Sequence, residues 1–159
     1  MNGRVIMSEI KIGLLGCGTV GTGVWKVLTD GREQIGEKTG HAVSISRILV
    51  RSLDKVRPVE IPTELFTTRI EDILKDTRIS VVVELMGGIE PAREMVERAI
   101  AAGKHVVTAN KALMASYGPE LFAMAHEKGV QLRFEGSVGG GIPVIAAMTE
   151  SLAANRFEQ

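Results

Sequence analysis

A short apolar segment followed by three regularly spaced glycines constrains this chain more than any other feature. Residues 10–15 are mostly apolar, and Gly16, Gly18 and Gly21 follow them at G-x-G-x-x-G spacing. Apolar residues then recur at helical intervals up to Leu28. This pattern predicts a buried strand, a tight turn and a helix whose first amide groups can hold the pyrophosphate of a dinucleotide. The alternative is a glycine-rich turn that binds no ligand.

The rest of the chain alternates between predicted strands and predicted helices. Strands are predicted over residues 10–15, 43–50, 65–67, 79–85, 105–108 and 130–134. Helices are predicted over residues 20–28, 70–74, 91–102, 110–114, 119–128 and 142–153, with residues 30–41 as a frayed helix end and loop. This order predicts an α/β fold of Rossmann type, a doubly wound and mainly parallel sheet with helices on both faces. The continuous apolar run over residues 79–85 predicts a strand buried on both faces.

Length and composition favour one domain over residues 10–155, preceded by a short lead over residues 1–9. The chain has 159 residues, a formal net charge of +0 and only 4% aromatic residues, which disfavours a nucleic-acid surface. No apolar run approaches the ~20 residues of a membrane span. The single cysteine, Cys17, cannot form an internal disulfide, which is typical of a cytoplasmic protein.

The end of the second predicted strand bears on the choice between NAD and NADP. An acidic residue there binds the ribose 2′-hydroxyl, whereas a basic residue accommodates a 2′-phosphate. Arg51 follows the strand, Lys55 and Arg57 lie close behind it, and the acid Asp54 comes late in the loop. The sequence therefore favours NADP over NAD. The alternative is that Arg51 and Lys55 are solvated cations of a loop.

Polar residues also stand at the ends of the later predicted strands, where open α/β sheets gather their ligands. Thr108 ends one strand, and Lys111 follows it at a helix start. Lys111 could supply charge to a bound carbonyl or cofactor, or it could be an ordinary surface lysine. Glu84 could face the crevice, or it could cap backbone amides of the turn that follows it. A second glycine cluster over residues 134–143 is either a cation-binding loop or a flexible joint.

Four motifs, in order, resemble the cofactor-binding part of homoserine dehydrogenase. They are residues 16–21, 84–88, 103–111 and 135–143, and the resemblance extends over residues 10–155. That family reduces aspartate-4-semialdehyde to homoserine with NADPH or NADH, on the route to threonine and methionine. The resemblance implies a Rossmann domain that binds a nicotinamide dinucleotide, and an amino-acid semialdehyde as substrate of the full protein.

The resemblance also implies roles for particular residues. The residues implied to bind the cofactor are Gly16, Gly18, Thr19, Val20, Gly21, Arg51, Gly87, Thr108 and Lys111. Lys111 is further implied as the catalytic residue, which reaches the nicotinamide end and polarises the substrate aldehyde. The implied sodium ligands are the Glu135 carboxylate and the main-chain oxygens of Val138, Gly140 and Ile142.

The family has a second half, for substrate binding and dimerisation, that bears an aspartate and a lysine needed for catalysis. Residues 156–159 are expected to be the start of that half. We therefore expect cofactor binding without turnover from this chain, and a homo-oligomer in the full protein. The alternatives are a nucleotide-sensing module, or another dehydrogenase of amino-acid metabolism resembling dihydrodipicolinate reductase.

Overall fold

A computed structural model describes residues 8–55, 57–139 and 142–146. Within them, the strands are β1 Ser8–Leu15, β2 His41–Leu49, β3 Phe66–Thr67, β4 Ile79–Glu84, β5 His105–Thr108 and β6 Leu132–Arg133. The α-helices are α1 Thr19–Asp30, α2 Arg32–Thr39, α3 Glu71–Leu74, α4 Ala92–Ala101, α5 Lys111–Glu127 and α6 Val144–Ala146. Two 3₁₀ turns, Thr63–Leu65 and Glu135–Ser137, precede β3 and follow β6.

The strands form one sheet in the order β3-β2-β1-β4-β5-β6, and all neighbours in it are parallel. The chain thus proceeds from β1 to one edge of the sheet and then returns to build the other half from β4. This reversal sets β1 and β4 side by side, and the loops that leave their carboxyl ends diverge. The predicted doubly wound, parallel sheet is confirmed, and its crevice lies above β1 and β4.

Core side chains lie on both faces of the sheet, because successive residues of a strand point in opposite directions. Leu14 of β1 packs in one cluster with Ile48 and with Trp25 of α1. Leu15 packs in a second cluster with Val82 and with Val96 of α4. Both leucines are 0% exposed. The prediction of helices on both faces is therefore confirmed.

The prediction that residues 79–85 are buried on both faces is wrong in part. Val82 is fully buried, but Val81 and Val83, which point to the opposite face, are only half-buried. On the neighbouring strand, Val107 is 38% exposed. In the described part of the chain, this half of one sheet face is therefore open to solvent, which the apolar run alone did not indicate.

Residues 30–41 contain the helix α2 rather than the predicted loop. The segment is polar and contains glycines, and only Gly36 of the helix is buried. Its other residues are largely Arg, Glu, Gln and Lys, which favour helix even when few of them are buried. Gly40 ends the helix in the left-handed conformation, with φ of 73°.

A single helix, α5, replaces the two predicted segments over residues 110–114 and 119–128. Pro119 lies inside this helix. A proline disfavours helical backbone at the residue before it, chiefly through a clash with that residue's Cβ and amide. That residue is Gly118, which has no Cβ, so part of the clash is absent and the helix continues.

The element boundaries also differ from the predicted ones. β1 begins at Ser8, so Ser8 and Glu9 belong to the sheet rather than to the predicted lead, and β6 is limited to Leu132–Arg133. The predicted last helix begins as α6. The rest of that helix and residues 156–159 lie outside the described residues. Of the helices that the structure describes, none combines the length and apolar character that crossing a membrane requires.

Candidate dinucleotide site

The glycine loop turns sharply at the end of β1. Gly16 has φ of 97°, a conformation that L side chains rarely adopt. A Cβ at this position would lie 3.0 Å from the carbonyl oxygen of Leu85, and the Gly16 amide donates a hydrogen bond of 3.0 Å to the carbonyl oxygen of Leu49. The loop is therefore held between the ends of β2 and β4, as the predicted tight turn requires.

The N-terminus of α1 faces solvent without a capping side chain. Gly18 precedes the helix in an extended conformation, no side chain caps it, and its first turn has no acidic residue. A Cβ on Gly18 would meet no atom within 4 Å, whereas one on Gly21 would collide with the carbonyl oxygen of Gly16. Thr19 and Val20, at the start of the helix, are exposed. Amides at a helix start attract anions, so this arrangement can hold a pyrophosphate.

A cleft of about 610 Å³ opens beside this loop, at the carboxyl ends of β1, β2 and β4. Its lining includes Gly16, Cys17 and Gly18 of the glycine loop, Arg51, Lys55 and Arg57 of the loop after β2, and Met86, Gly87, Pro91 and Met95 after β4. The structure therefore brings together the predicted residues Gly16, Gly18, Arg51 and Gly87. Its walls combine open backbone, cations, the acidic residue Glu90 and apolar side chains, and the cations outnumber the acid, a composition that suits a nucleotide.

The cations of the loop after β2 differ in their contacts. Among the residues that the structure describes, Arg51 is exposed and has no hydrogen-bond or ion-pair partner. Arg57 instead donates hydrogen bonds of 2.8 Å to the Lys55 carbonyl and 3.4 Å to the Ser52 carbonyl, and it stacks on the Phe66 ring. Arg51 is therefore free to contact a phosphate, while Arg57 stabilises the loop.

Glu84 does not face the cleft, which excludes the first of the two interpretations of this residue. Its side chain is fully buried, and Oε1 accepts hydrogen bonds of 2.7 Å from the Met86 amide and 3.4 Å from the Gly87 amide. Oε2 accepts one of 2.6 Å from the hydroxyl of Thr108. Glu84 instead caps the backbone amides of the turn after β4, which is the second interpretation. Thr108 is 1% exposed, and its hydroxyl contacts Glu84 and the Asn110 amide among the described residues.

Lys111 lies at the first residue of α5, where its side chain is exposed. The preceding residue, Asn110, caps the helix with its side-chain oxygen, which accepts a hydrogen bond of 3.1 Å from the Leu113 amide. Lys111 does not line the cleft described above. Its position beyond β5 is the predicted one, and its role in catalysis stays a prediction.

The second glycine cluster places Glu135 against the helix that follows it. The two carboxylate oxygens accept hydrogen bonds of 2.9 Å each from the amides of Ile145 and Ala146. The carbonyl oxygen of Ile142 accepts one of 2.8 Å from the Val144 amide. Two of the predicted sodium ligands are thus already engaged by backbone amides.

Sodium coordination by the main-chain oxygens of the two remaining ligands, Val138 and Gly140, stays a prediction. Val138 donates its amide to the Glu135 carbonyl at 3.1 Å, and Gly140 lies outside the described residues. In the part of the chain that the structure describes, no group of three or more His, Cys, Asp or Glu side chains is placed to hold a metal. These contacts favour a capping role for Glu135.

Three residues that shape the site were not identified as such from the sequence. Asn110 links α5 to the turn after β4, Ser137 donates a hydrogen bond of 3.0 Å to the Thr108 carbonyl, and Phe66 supports Arg57. An asparagine just before a helix is a common capping signal, so Asn110 could have been found. The contacts of Ser137 and Phe66 depend on tertiary structure and leave no local pattern.

The chain is similar to homoserine dehydrogenases in sequence and in structure. Residues 16–135 match the family described as homoserine dehydrogenase, NAD binding domain. The homoserine dehydrogenase of Synechocystis sp. is 49% identical over 151 residues, which cover 94% of this chain and 34% of that protein. The crystal structure of a homoserine dehydrogenase from Thiobacillus denitrificans has a TM-score of 0.86 and 50% identity, covering 96% of this chain and 35% of that one.

A hyperthermophilic archaeal homoserine dehydrogenase in complex with NADPH has a TM-score of 0.66 and 25% identity, covering 88% of this chain and 48% of that one. The present chain spans about a third of the length of the Synechocystis relative. The family match includes the glycine loop, the loop after β2 and the motifs that end β4 and β5. The chain belongs to the homoserine dehydrogenase family and comprises its NAD-binding domain.

Proposed function

We propose that the cleft binds NADPH, with its pyrophosphate at the start of α1 and its adenosine 2′-phosphate at Arg51. The observation that carries this proposal is the pairing of an uncapped helix N-terminus with an arginine that has no partner among the described residues, on two walls of one cleft. The 2′-phosphate is the negatively charged partner that the Arg51 guanidinium lacks among the described residues. Charge-assisted hydrogen bonds to phosphate are strong. NADH offers Arg51 no such group.

The strand order supports one direction for the bound dinucleotide. Arg51 follows β2 and the glycine loop follows β1, so adenosine and pyrophosphate occupy these two strand ends. The nicotinamide half extends over the next strands, β4 and β5, which end at Glu84 and Thr108. Gly87 and Lys111 therefore belong to the nicotinamide end of the site.

We propose that a protein carrying this domain reduces aspartate-4-semialdehyde to homoserine. NADPH supplies the hydride for this reduction when it is bound. The exposed ammonium of Lys111, beyond β5, stabilises negative charge as it develops on the aldehyde oxygen. We further propose that the full protein is a homo-oligomer and that it binds its substrate with groups outside the cofactor-binding domain. The free Cys17 is consistent with action in the cytoplasm.

Both carboxylate oxygens of Glu135 accept amide hydrogen bonds, which supports a structural role for this side chain. We propose that this carboxylate holds the start of α6 in place, next to the loop that follows β6. Sodium at this position stays a prediction of the family resemblance, and a comparison of salts tests it below.

A substitution at Gly18 tests the site directly. Its backbone suits any residue, a Cβ there meets no neighbour, and aspartate is a favourable N-cap. Gly18→Asp should therefore raise the melting temperature slightly while it abolishes NADPH binding, since its carboxylate repels the pyrophosphate. Gly23→Asp is the matched charge control, since Gly23 is an exposed glycine of α1 that does not line the cleft and whose Cβ would also meet no neighbour, and it should retain binding. Unchanged NADPH affinity in Gly18→Asp, measured by cofactor fluorescence, would place the pyrophosphate elsewhere.

A further inference from the structure

Glu84 is a fully buried acid at the edge of the cofactor site that neither lines the cleft nor forms an ion pair among the described residues. We propose that Glu84 is a positioning residue that holds the turn after β4 and the start of α5 in one fixed arrangement. These segments carry Gly87 and Lys111, which form the nicotinamide end of the site. The inference rests on the proposed direction of the dinucleotide.

The Glu84 carboxylate is directed to two different loops. Oε1 accepts hydrogen bonds of 2.7 Å and 3.4 Å from the amides of Met86 and Gly87, which belong to the turn that follows β4. Oε2 accepts a hydrogen bond of 2.6 Å from the Thr108 hydroxyl, at the end of β5. The Thr108 hydroxyl is the donor in this contact, so the Glu84 side chain accepts hydrogen bonds from both loops.

Asn110 closes these contacts into a ring. Its amide donates a hydrogen bond of 3.0 Å to the Thr108 hydroxyl oxygen, and its Nδ2 donates one of 2.6 Å to the Gly88 carbonyl. Hydrogen bonds thus lead from Glu84 to Thr108, to Asn110, and back to the turn that Glu84 caps. Asn110 is also the N-cap of α5, so the same ring fixes where Lys111 begins the helix.

The position of the ring favours a role in the site over a role in packing alone. Burying a carboxylate is costly, and an apolar side chain would fill the same space without that cost. What the carboxylate adds is a pair of acceptor atoms that bind two loops at once. Ser137 extends the ring, since its hydroxyl donates a hydrogen bond of 3.0 Å to the Thr108 carbonyl. The loops that follow β4, β5 and β6 are thereby joined at one end of the cleft.

The test compares two ligands that occupy different parts of the cleft. NADPH spans the whole site, whereas 2′,5′-ADP reaches only the Arg51 and glycine-loop end. Glu84→Gln keeps the side-chain size and an oxygen for the Met86 amide, but it sets an amide donor against the Thr108 hydroxyl. We expect this variant to bind NADPH about tenfold more weakly and 2′,5′-ADP as tightly as the unmodified chain, in calorimetric titrations of the 159-residue chain.

Thr108 supplies matched variants that break the same link from the other side. Thr108→Val removes the hydroxyl and should reproduce the selective loss of NADPH affinity. Thr108→Ser keeps the hydroxyl and should retain most of the NADPH affinity of the unmodified chain. Both residues act through one hydrogen bond. The double variant, Glu84→Gln with Thr108→Val, should therefore lose little more NADPH affinity than the single variant that binds NADPH more weakly.

The outcomes separate this inference from the proposed function. An unmodified chain that binds neither ligand would contradict the proposed function itself. If the unmodified chain binds both ligands, the affinities of Glu84→Gln decide the role of Glu84. An equal loss of affinity for NADPH and 2′,5′-ADP, or no loss for either, would overturn that role. Fully additive losses in the double variant would also overturn it. If Glu84→Gln fails to fold, the Thr108→Val and Thr108→Ser pair decides the question alone.

Discussion

The guanidinium carbon of Arg57 lies 4.1 Å from the centroid of the Phe66 ring, at the start of β3. The same guanidinium donates hydrogen bonds to the carbonyls of Lys55 and Ser52. Arg57 therefore folds the loop after β2 against the edge of the sheet. Arg51, at the start of that loop, makes no comparable contact among the described residues. We therefore assign loop stability to Arg57 and propose phosphate binding for Arg51.

This division of tasks predicts different effects on stability. Arg57→Lys loses the paired hydrogen bonds and the stacked geometry of a guanidinium, so it should lower the melting temperature by roughly 2–4 °C, equivalent to about 1 kcal/mol. Arg51→Ala removes no contact and should leave the melting temperature unchanged. Thermal unfolding followed by circular dichroism compares them. A larger decrease in melting temperature for Arg51→Ala than for Arg57→Lys would contradict this assignment of roles.

The turn before β4 predicts a pH dependence of stability. Hydrogen bonds of 2.9 Å and 2.8 Å from the Arg78 guanidinium hold the pKa of Asp76 at about 2, below its ordinary value of 3.8. A carboxyl group with a lowered folded-state pKa stabilises the fold above its unfolded pKa, and this contribution is lost as the pH falls toward 2.

Asp76→Asn should therefore lower the free energy of unfolding near pH 7, by about 1 kcal/mol after allowance for solvent screening. The difference from the unmodified chain should shrink below pH 4 and disappear only below pH 2. Urea denaturation at several pH values measures it, with Arg78→Ala as the matched partner variant. A difference that is constant across this range would mean that the charge of Asp76 does not contribute.

The role of Glu135 can be decided by comparing salts. If its carboxylate caps α6, Glu135→Gln lowers the melting temperature by the same amount in sodium, potassium and a bulky organic cation at equal ionic strength. We expect this result. A rise in melting temperature that is specific to sodium, and that disappears in Glu135→Gln, would instead establish the cation site and contradict the capping role.

The central part of the fold could be predicted from the sequence because its signals are local. Residues 10–21 contain a strand, a turn and a helix start in one continuous pattern, and β5 has the predicted bounds. Helix α2 was missed because it is short of apolar residues, although its composition and Gly40 carry a helix signal. The continuity of α5 depends on the pairing of Gly118 with Pro119, a detail that a rule about proline alone does not capture.

The positions of candidate site residues could be predicted where they follow a strand end, as with Arg51 and the glycine loop, and their roles in binding stay predictions. It was not predictable where loops from different strands meet. Glu84 contacts Thr108 from the neighbouring strand, and nothing in the local sequence of either residue indicates that hydrogen bond. The choice between capping and sodium binding at Glu135 likewise depends on where the Ile145 and Ala146 amides lie.

The most direct test of the account is a calorimetric titration of the chain with NADPH and with NADH, for the unmodified sequence and for Arg51→Ala. A charge-assisted contact between Arg51 and the 2′-phosphate should favour NADPH by about 1.5–3 kcal/mol, or roughly ten- to a hundredfold in affinity. Arg51→Ala should remove that preference and leave the affinity for NADH unchanged. Equal binding of the two cofactors by the unmodified chain, or an equal loss for both in Arg51→Ala, would contradict the assignment.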